Sequence, residues 1–237
     1  MSLLDVSGLV VNRAGVGVVR GTSVTAEAGQ ISVLLGANGA GKTTLLEGIA
    51  GIAPVAAGRV VLNGADLTRA SPGDRARAGL ALIEQGRTVF ARLTTEENLR
   101  VSMDPETGPE NAYALFPELR QRSGIAAGML SGGEQQMLVI ARALLARPRV
   151  LMIDEMSAGL APVIVSRLMK AVRRLADEGM AVLLVEQFAS LALAIGDRAY
   201  VLRRGGVVYE GGCDTLARDP ERLHHLYLGD APVGRGE

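Results

Sequence analysis

The sequence predicts an α/β fold: a mixed central sheet, a small antiparallel β subdomain beside it and an inserted helical subdomain. Three observations carry that expectation. Uniformly apolar runs recur at Ile31-Ser32-Val33-Leu34-Leu35, Val150-Leu151-Met152-Ile153 and Ala181–Val185, the pattern of strands buried on both faces of a parallel sheet. A glycine-rich segment at 36–41 leads from the first run straight into a helical pattern at Lys42-Thr43-Thr44-Leu45-Leu46, giving strand, loop, helix. Between the first and second runs lies a long stretch whose apolar residues return at helical spacing.

In chain order, residues 24–35 read as strand signal, and 36–41 as the loop that opens the first helix. Residues 58–63 and 79–83 are short apolar strands separated by the turn formers Asn63-Gly64 and Ser71-Pro72-Gly73, which supports a small antiparallel sheet. Residues 94–117 are polar and helical with a Pro/Gly break at 104–109, and 132–145 place Met137, Leu138, Ile140, Ala141, Leu144 and Leu145 on helical spacing. Residues 163–178 form an amphipathic helix between two buried strands. No internal repeat is present, and the Gly/Pro-rich tail after Gly229 is expected to be mobile. The 237 residues therefore read as one domain, with a core of 1–86 and 148–237 and a helical insertion at about 87–147.

Composition removes several functional classes. Lys plus Arg and Asp plus Glu both number 25, so the net charge is zero, which disfavours a nucleic-acid partner. Aromatics make up 3% with no Trp, too few for a base-stacking platform. Cys213 is the single cysteine and has no internal disulfide partner. His224 and His225 lack the company of a zinc site. The N-terminus carries no signal-peptide pattern, and the most apolar stretch is broken by Glu186, Gln187 and Ser190, short of the ~18 residues a membrane span needs. A cytoplasmic protein is expected.

Gly36-Ala37-Asn38-Gly39-Ala40-Gly41-Lys42-Thr43 fits G-x-x-x-x-G-K-[ST] in its required strand-to-helix setting. Glycines there turn successive N–H groups onto phosphate oxygens, Lys42 reaches the β/γ-phosphates, and the Thr43 hydroxyl ligates magnesium. Thr44 follows at the start of the same helix. Such a loop needs an acidic partner at the end of a neighbouring strand, and Asp154 ends the second apolar run. Glu155, next to it, offers a carboxylate to polarise an attacking water.

Leu130-Ser131-Gly132-Gly133-Glu134-Gln135-Gln136, about twenty residues before Asp154, resembles the signature of ATP-binding cassette (ABC) ATPases. The resemblance implies an ABC fold of the phosphate-loop NTPase class, ATP with Mg²⁺ as ligands, and a site in which Ser131, Gly132, Gly133 and Glu134 complete the ATP pocket of an opposite subunit. Simple N-capping of the following helix by Ser131 is an additional role for the same residues. It further implies that Gln85 contacts magnesium and the attacking water, alongside the metal ligands Thr43 and Asp154. Residues 157–160 stand at the family's D-loop, with Met156 where a proline is usual. Gln187 occupies the switch position, where most members have histidine. A glutamine offers only hydrogen bonds to the γ-phosphate, which leaves hydrolysis to Glu155. Arg13 stands where an adenine-stacking aromatic is usual, and a guanidinium plane also stacks on bases.

Further matches at Arg87-Thr88-Val89-Phe90, Glu96-Glu97-Asn98-Leu99, Val185-Glu186-Gln187 and Leu226-Tyr227-Leu228-Gly229 resemble the second, smaller ATPase of branched-chain amino acid importers, although residues 99–129 form a shorter stretch than is usual there. That resemblance implies a hetero- or homodimer with a second ATPase, two membrane permeases, an indirect link to a substrate-binding protein, and a place on the cytoplasmic face of the cell membrane. Urea, short amides and aromatic acids remain alternative cargoes, and a binding-only or non-transport subunit is the rival role.

Overall fold

The computed structural model describes residues 2–103 and 108–229, so residues 104–107 of the expected helix break and the tail beyond Gly229 lie outside the described residues. The chain opens with two twelve-residue strands, β1 (Ser2–Arg13) and β2 (Val16–Glu27), paired antiparallel. Ala14 and Gly15, both at positive φ, make the two-residue turn whose twist suits such a hairpin. β4 (Val55–Leu62) joins the other edge of β1, and β5 (Ala65–Asp66) returns along it after the Asn63-Gly64 turn. Together these make a four-stranded antiparallel sheet ordered β2-β1-β4-β5.

The central sheet has six strands ordered β10-β9-β3-β8-β7-β6. β3 (Ile31–Leu35), β6 (Leu80–Ile83), β7 (Val150–Asp154), β8 (Ala181–Val185) and β9 (Arg198–Arg203) run parallel, and β10 (Gly206–Gly212) pairs antiparallel with β9. The two short strands expected at 58–63 and 79–83 thus part company: the first enters the antiparallel sheet and the second becomes an edge of the parallel one. Leu80-Ala81-Leu82-Ile83 has no polar position, whereas β4 alternates exposed and buried residues near its end. Only the former suits a sheet covered on both faces.

Strand alternation divides the core in two. Ile31, Val33, Leu35, Leu151, Ile153, Val182 and Leu184 face one cluster, formed with α6 (Gly132–Leu145) and α7 (Pro162–Asp177). Leu34, Val150, Met152, Leu183 and Val185 face the other, which buries α1 (Lys42–Ala50) against the antiparallel sheet. Each fully buried Leu or Ile contributes about 1.5–3 kcal/mol, so the register of β3, β7 and β8 is fixed strongly and their C-terminal ends are held level. α2 (Pro72–Arg77) supplies Arg75, whose buried guanidinium donates to the carbonyls of Gly48 and Ile49 at 2.9 and 2.6 Å and of Thr68 at 2.8 Å. It thereby satisfies the C-terminal end of α1.

Between β6 and β7 lie α3 (Thr95–Arg100), α4 (Glu110–Leu115), α5 (Pro117–Gln121) and α6. Both α3 and α6 begin with reciprocal capping boxes, Thr94 with Glu97 and Ser131 with Glu134, each satisfying otherwise unpaired helix donors. Buried Asn98 takes the Phe90 N–H on its carbonyl oxygen at 2.9 Å and donates to the carbonyls of Phe90, Leu93 and Thr94, fastening the incoming loop to α3. After β8 come α8 (Ala189–Ile195), then β9 and β10, and finally α9 (Cys213–Ala217) and α10 (Pro220–Leu228).

Candidate active site

The site forms where the parallel strands end, the usual place for ligands in an open α/β sheet. β3 runs into the glycine-rich loop, and Gly41, at φ 105°, turns the chain into α1 through a conformation that costs a side-chain-bearing residue free energy. The loop is closed by the Ala40 N–H to Ala37 O at 3.1 Å and anchored by the Gly205 N–H, which donates to Ala40 O at 3.0 Å. Gly205 sits in the β9–β10 turn, and its own carbonyl accepts from the Arg20 N–H and the Thr22 hydroxyl of β2. Two segments distant in sequence, the β9–β10 turn and β2, therefore hold the loop in shape.

Lys42 is buried, with its Nζ donating to Gly36 O at 2.8 Å and Ala37 O at 3.2 Å. Burial lowers its pKa, and the charges of Glu155 and Asp154 oppose that shift. Asp154 is also buried, at the end of β7. Burial raises its pKa, a hydrogen bond from Thr43 and the charge of Lys42 pull it down, and Glu155 and Glu84 push it up. A buried cation and carboxylate on one side of the cavity make it a strongly polar site in low-dielectric surroundings.

Glu155 has a left-handed backbone at φ 51°, which costs a non-glycine residue about 1–3 kcal/mol and marks positions where geometry is held against preference. Its Oε2 accepts from Gln85 Nε2 at 2.7 Å, leaving the Gln85 amide oxygen turned to other duty. One cavity of about 430 Å³ is lined by Asn38, Gly39, Gly41, Lys42, Thr43, Thr44, Gln85, Glu155 and Gln187, with Val18 and Ala158 completing the wall. A second, of about 280 Å³, brings Thr43, Gln85 and Asp154 together with Leu46, Glu47 and Glu84. Thr43 and Gln85 belong to both.

Three oxygen donors, the Thr43 hydroxyl, the Gln85 carbonyl and the Asp154 carboxylate, share the second cavity. Hard oxygen ligands suit Mg²⁺, which takes one or two carboxylates and completes its shell with water and substrate phosphates. Among the described residues no cluster of three or more His, Cys, Asp or Glu forms a metal cage of its own.

Two groups of residues lie apart from this convergence. Ser131 caps α6, its hydroxyl accepting from the Glu134 N–H at 3.3 Å while Glu134 accepts from the Ser131 N–H at 2.8 Å and from Arg122 at 3.0 Å. Gly132 faces Arg87: a Cβ there would stand 2.5 Å from the guanidinium, which also donates to the Ala158 and Gly159 carbonyls at 2.8 and 3.3 Å. Ile164 crowds Gly133 in the same way. The double glycine thus admits close neighbours within this chain, a reason for it that helix capping alone does not supply. Arg13 does not line the phosphate-loop cavity; its guanidinium is ion-paired with Glu47 of α1. The wall beside the loop is instead Val18, a strand residue with no signal in the sequence.

A family model described as ABC transporter matches residues 19–158. The chain belongs to the ABC transporter ATPase family. This ABC ATPase is similar to the high-affinity branched-chain amino acid transport ATP-binding protein BraG of Pseudomonas aeruginosa, 41% identical over 213 residues, covering 87% of this chain and 91% of that protein. The probable branched-chain amino acid transport ATP-binding protein LivF of Archaeoglobus fulgidus is 40% identical, covering 84% and 87%. The lipopolysaccharide export ATP-binding protein LptB of Haemophilus influenzae is 33% identical, covering 97% and 98%. A nucleotide-free ATP-binding cassette from an ABC transporter has the same fold, with a TM-score of 0.85 at 24% identity, covering 97% of this chain and all of that one. Among the described residues of this ABC ATPase, no helix is long and apolar enough to cross a membrane.

Proposed function

We propose that this ABC ATPase is a motor subunit of an importer for branched-chain or related amino acids, with Glu155 as the base of its hydrolytic site. The observation that carries the hydrolytic reading is the convergence of Lys42, Gln85, Glu155 and Gln187 on one cavity. In this reading ATP takes the phosphate loop, and Lys42 exchanges its Gly36 and Ala37 carbonyls for β- and γ-phosphate oxygens. Asn38 to Thr44 present backbone N–H groups to the same phosphates. Glu155, oriented by Gln85, accepts the proton of the attacking water, and Gln187 donates a hydrogen bond to the γ-phosphate. Magnesium, when bound to Thr43, Gln85 and Asp154, would supply positive charge to the phosphates. Arg13 is assigned to the base, which requires it to leave Glu47.

Ser131, Gly132, Gly133 and Glu134 line neither cavity beside the chain's own phosphate loop, and they are assigned to the nucleotide of a second ATPase subunit. The helical insertion at about 87–147, carried on the core of 1–86 and 148–237, is assigned to the membrane permeases at the cytoplasmic face. ATP then acts as a ligand that favours the closed pair, and loss of its γ-phosphate reopens it. The likeness to BraG and LivF supports amino acids as cargo, while the likeness to LptB over nearly the whole chain supports lipopolysaccharide export as the second reading. Reconstitution with candidate permeases of importer and exporter type, in proteoliposomes with leucine, urea or lipopolysaccharide, separates them. Leucine-dependent stimulation of hydrolysis and leucine uptake are the expected results; stimulation by lipopolysaccharide alone overturns the importer assignment.

A further inference from the structure

Glu186 is fully buried, carries a carboxylate, and has no part in the hydrolytic reading above. A buried carboxylate is expensive unless hydrogen bonds surround it, and here most of them come from Met156 and Ser157. Its Oε1 accepts the Met156 N–H at 3.1 Å and the Ser157 N–H at 3.2 Å, and its Oε2 accepts the Ser157 hydroxyl at 2.5 Å. Burial raises its pKa while these bonds and one from the Gln187 N–H draw it down.

These donors flank Glu155. On its N-terminal side, the Glu155 N–H donates to Val185 O at 3.0 Å. On its C-terminal side, the next two N–H groups land on Glu186. Two consecutive residues at the end of β8 therefore grip the chain on both sides of a residue held at φ 51°, and the residue that follows them is Gln187. That grip, together with the burial of Met156 in the core, offsets the cost of a left-handed glutamate; weakening it lets Glu155 relax towards an ordinary backbone conformation, swinging its carboxylate away from Gln85. We propose that Glu186 is a positioning residue of the hydrolytic site, fixing the backbone of Glu155 and coupling it to Gln187 so that both stay aimed at the same cavity. Glu186 lines neither cavity, so its effect belongs to the rate and not to binding.

The inference rests on Glu155 being the base, and the experiment separates the two claims. Hydrolysis kinetics, nucleotide affinity and melting temperature are measured for Glu186→Gln, Glu186→Leu, Ser157→Ala and Glu155→Gln in the full chain with its partner ATPase. Glu186→Gln keeps an acceptor for both N–H groups and its amide can donate to the Ser157 hydroxyl, so kcat stays within about threefold of the parent. Glu186→Leu fills the volume without acceptors, and kcat falls about 10–100-fold while KM stays within about twofold. Ser157→Ala removes one bond without burying a new polar group, lowers kcat about threefold or more, and decides the matter should Glu186→Leu not fold. Unchanged kcat in Ser157→Ala and in folded Glu186→Leu overturns the inference, as does a rise in KM at constant kcat. If Glu155→Gln itself hydrolyses ATP normally, the base assignment fails first; if it is inactive while Glu186→Leu is not, only the positioning role fails.

Discussion

Lys42 and Cys213 show how far burial alone sets the chemistry of a side chain. Lys42 donates to the Gly36 and Ala37 carbonyl oxygens, while burial lowers its pKa and the charges of Glu155 and Asp154 oppose that shift. Cys213 is buried with its thiol pKa pushed up to about 12 by burial, aided by the charges of Asp197 and Asp214. An unfolded thiol ionises near 9.0, so the folded state holds the proton more tightly, and this group's contribution to stability is intact below that value and lost as the pH climbs from about 9 towards 12. Thiolate is the reactive form. Labelling by a maleimide at neutral pH is therefore expected to be at least ~100-fold slower in the native protein than in urea; equal rates would place Cys213 at the surface.

Among the elements, α1 bears the most directly on the site, since it begins at Lys42 and ends on Arg75. Arg75 makes charged hydrogen bonds to several carbonyls near that end. Arg75→Ala leaves them unsatisfied and opens space beside Gly51, with an expected loss of about 2–4 kcal/mol, measured by urea denaturation. A change below 0.5 kcal/mol would mean that water replaces the guanidinium at no net loss. Elements with dense local signals were legible beforehand. The buried strands β3, β7 and β8 announce themselves by apolar runs, and α6 by Ser131 at its N-cap and helical apolar spacing. β1 and β2 were not, because Gly8, Gly17 and Gly21 dilute their alternation and their pairing shifts register several times. The same limit applies in the site. Lys42, Asp154 and Glu155 follow from local motifs, whereas the places of Val18 and Arg13 depend on how the hairpin folds over α1, and Glu186 takes hydrogen bonds from residues about thirty positions away.

At the scale of the whole molecule, the Ser131 to Glu134 segment lines neither cavity at the phosphate loop, and a complete nucleotide site is assigned to two chains. Glu155→Gln should trap that pair: with ATP, the 24.7 kDa chain is expected to elute at twice its mass, or as a one-to-one complex with its partner ATPase, and to revert on exchange for ADP. A Glu155→Gln chain that binds ATP and stays monomeric in every pairing would confine the site to one subunit. The most direct measurement of the central claim is magnesium-dependent ATP hydrolysis by this chain, alone and with candidate partner ATPases, beside Lys42→Ala and Glu155→Gln. Hydrolysis that falls about 100-fold or more in both variants, with ATP binding weakened in Lys42→Ala and retained in Glu155→Gln, is the predicted result. Hydrolysis that survives in Glu155→Gln, or ATP binding without turnover under every pairing of the parent chain, would contradict it.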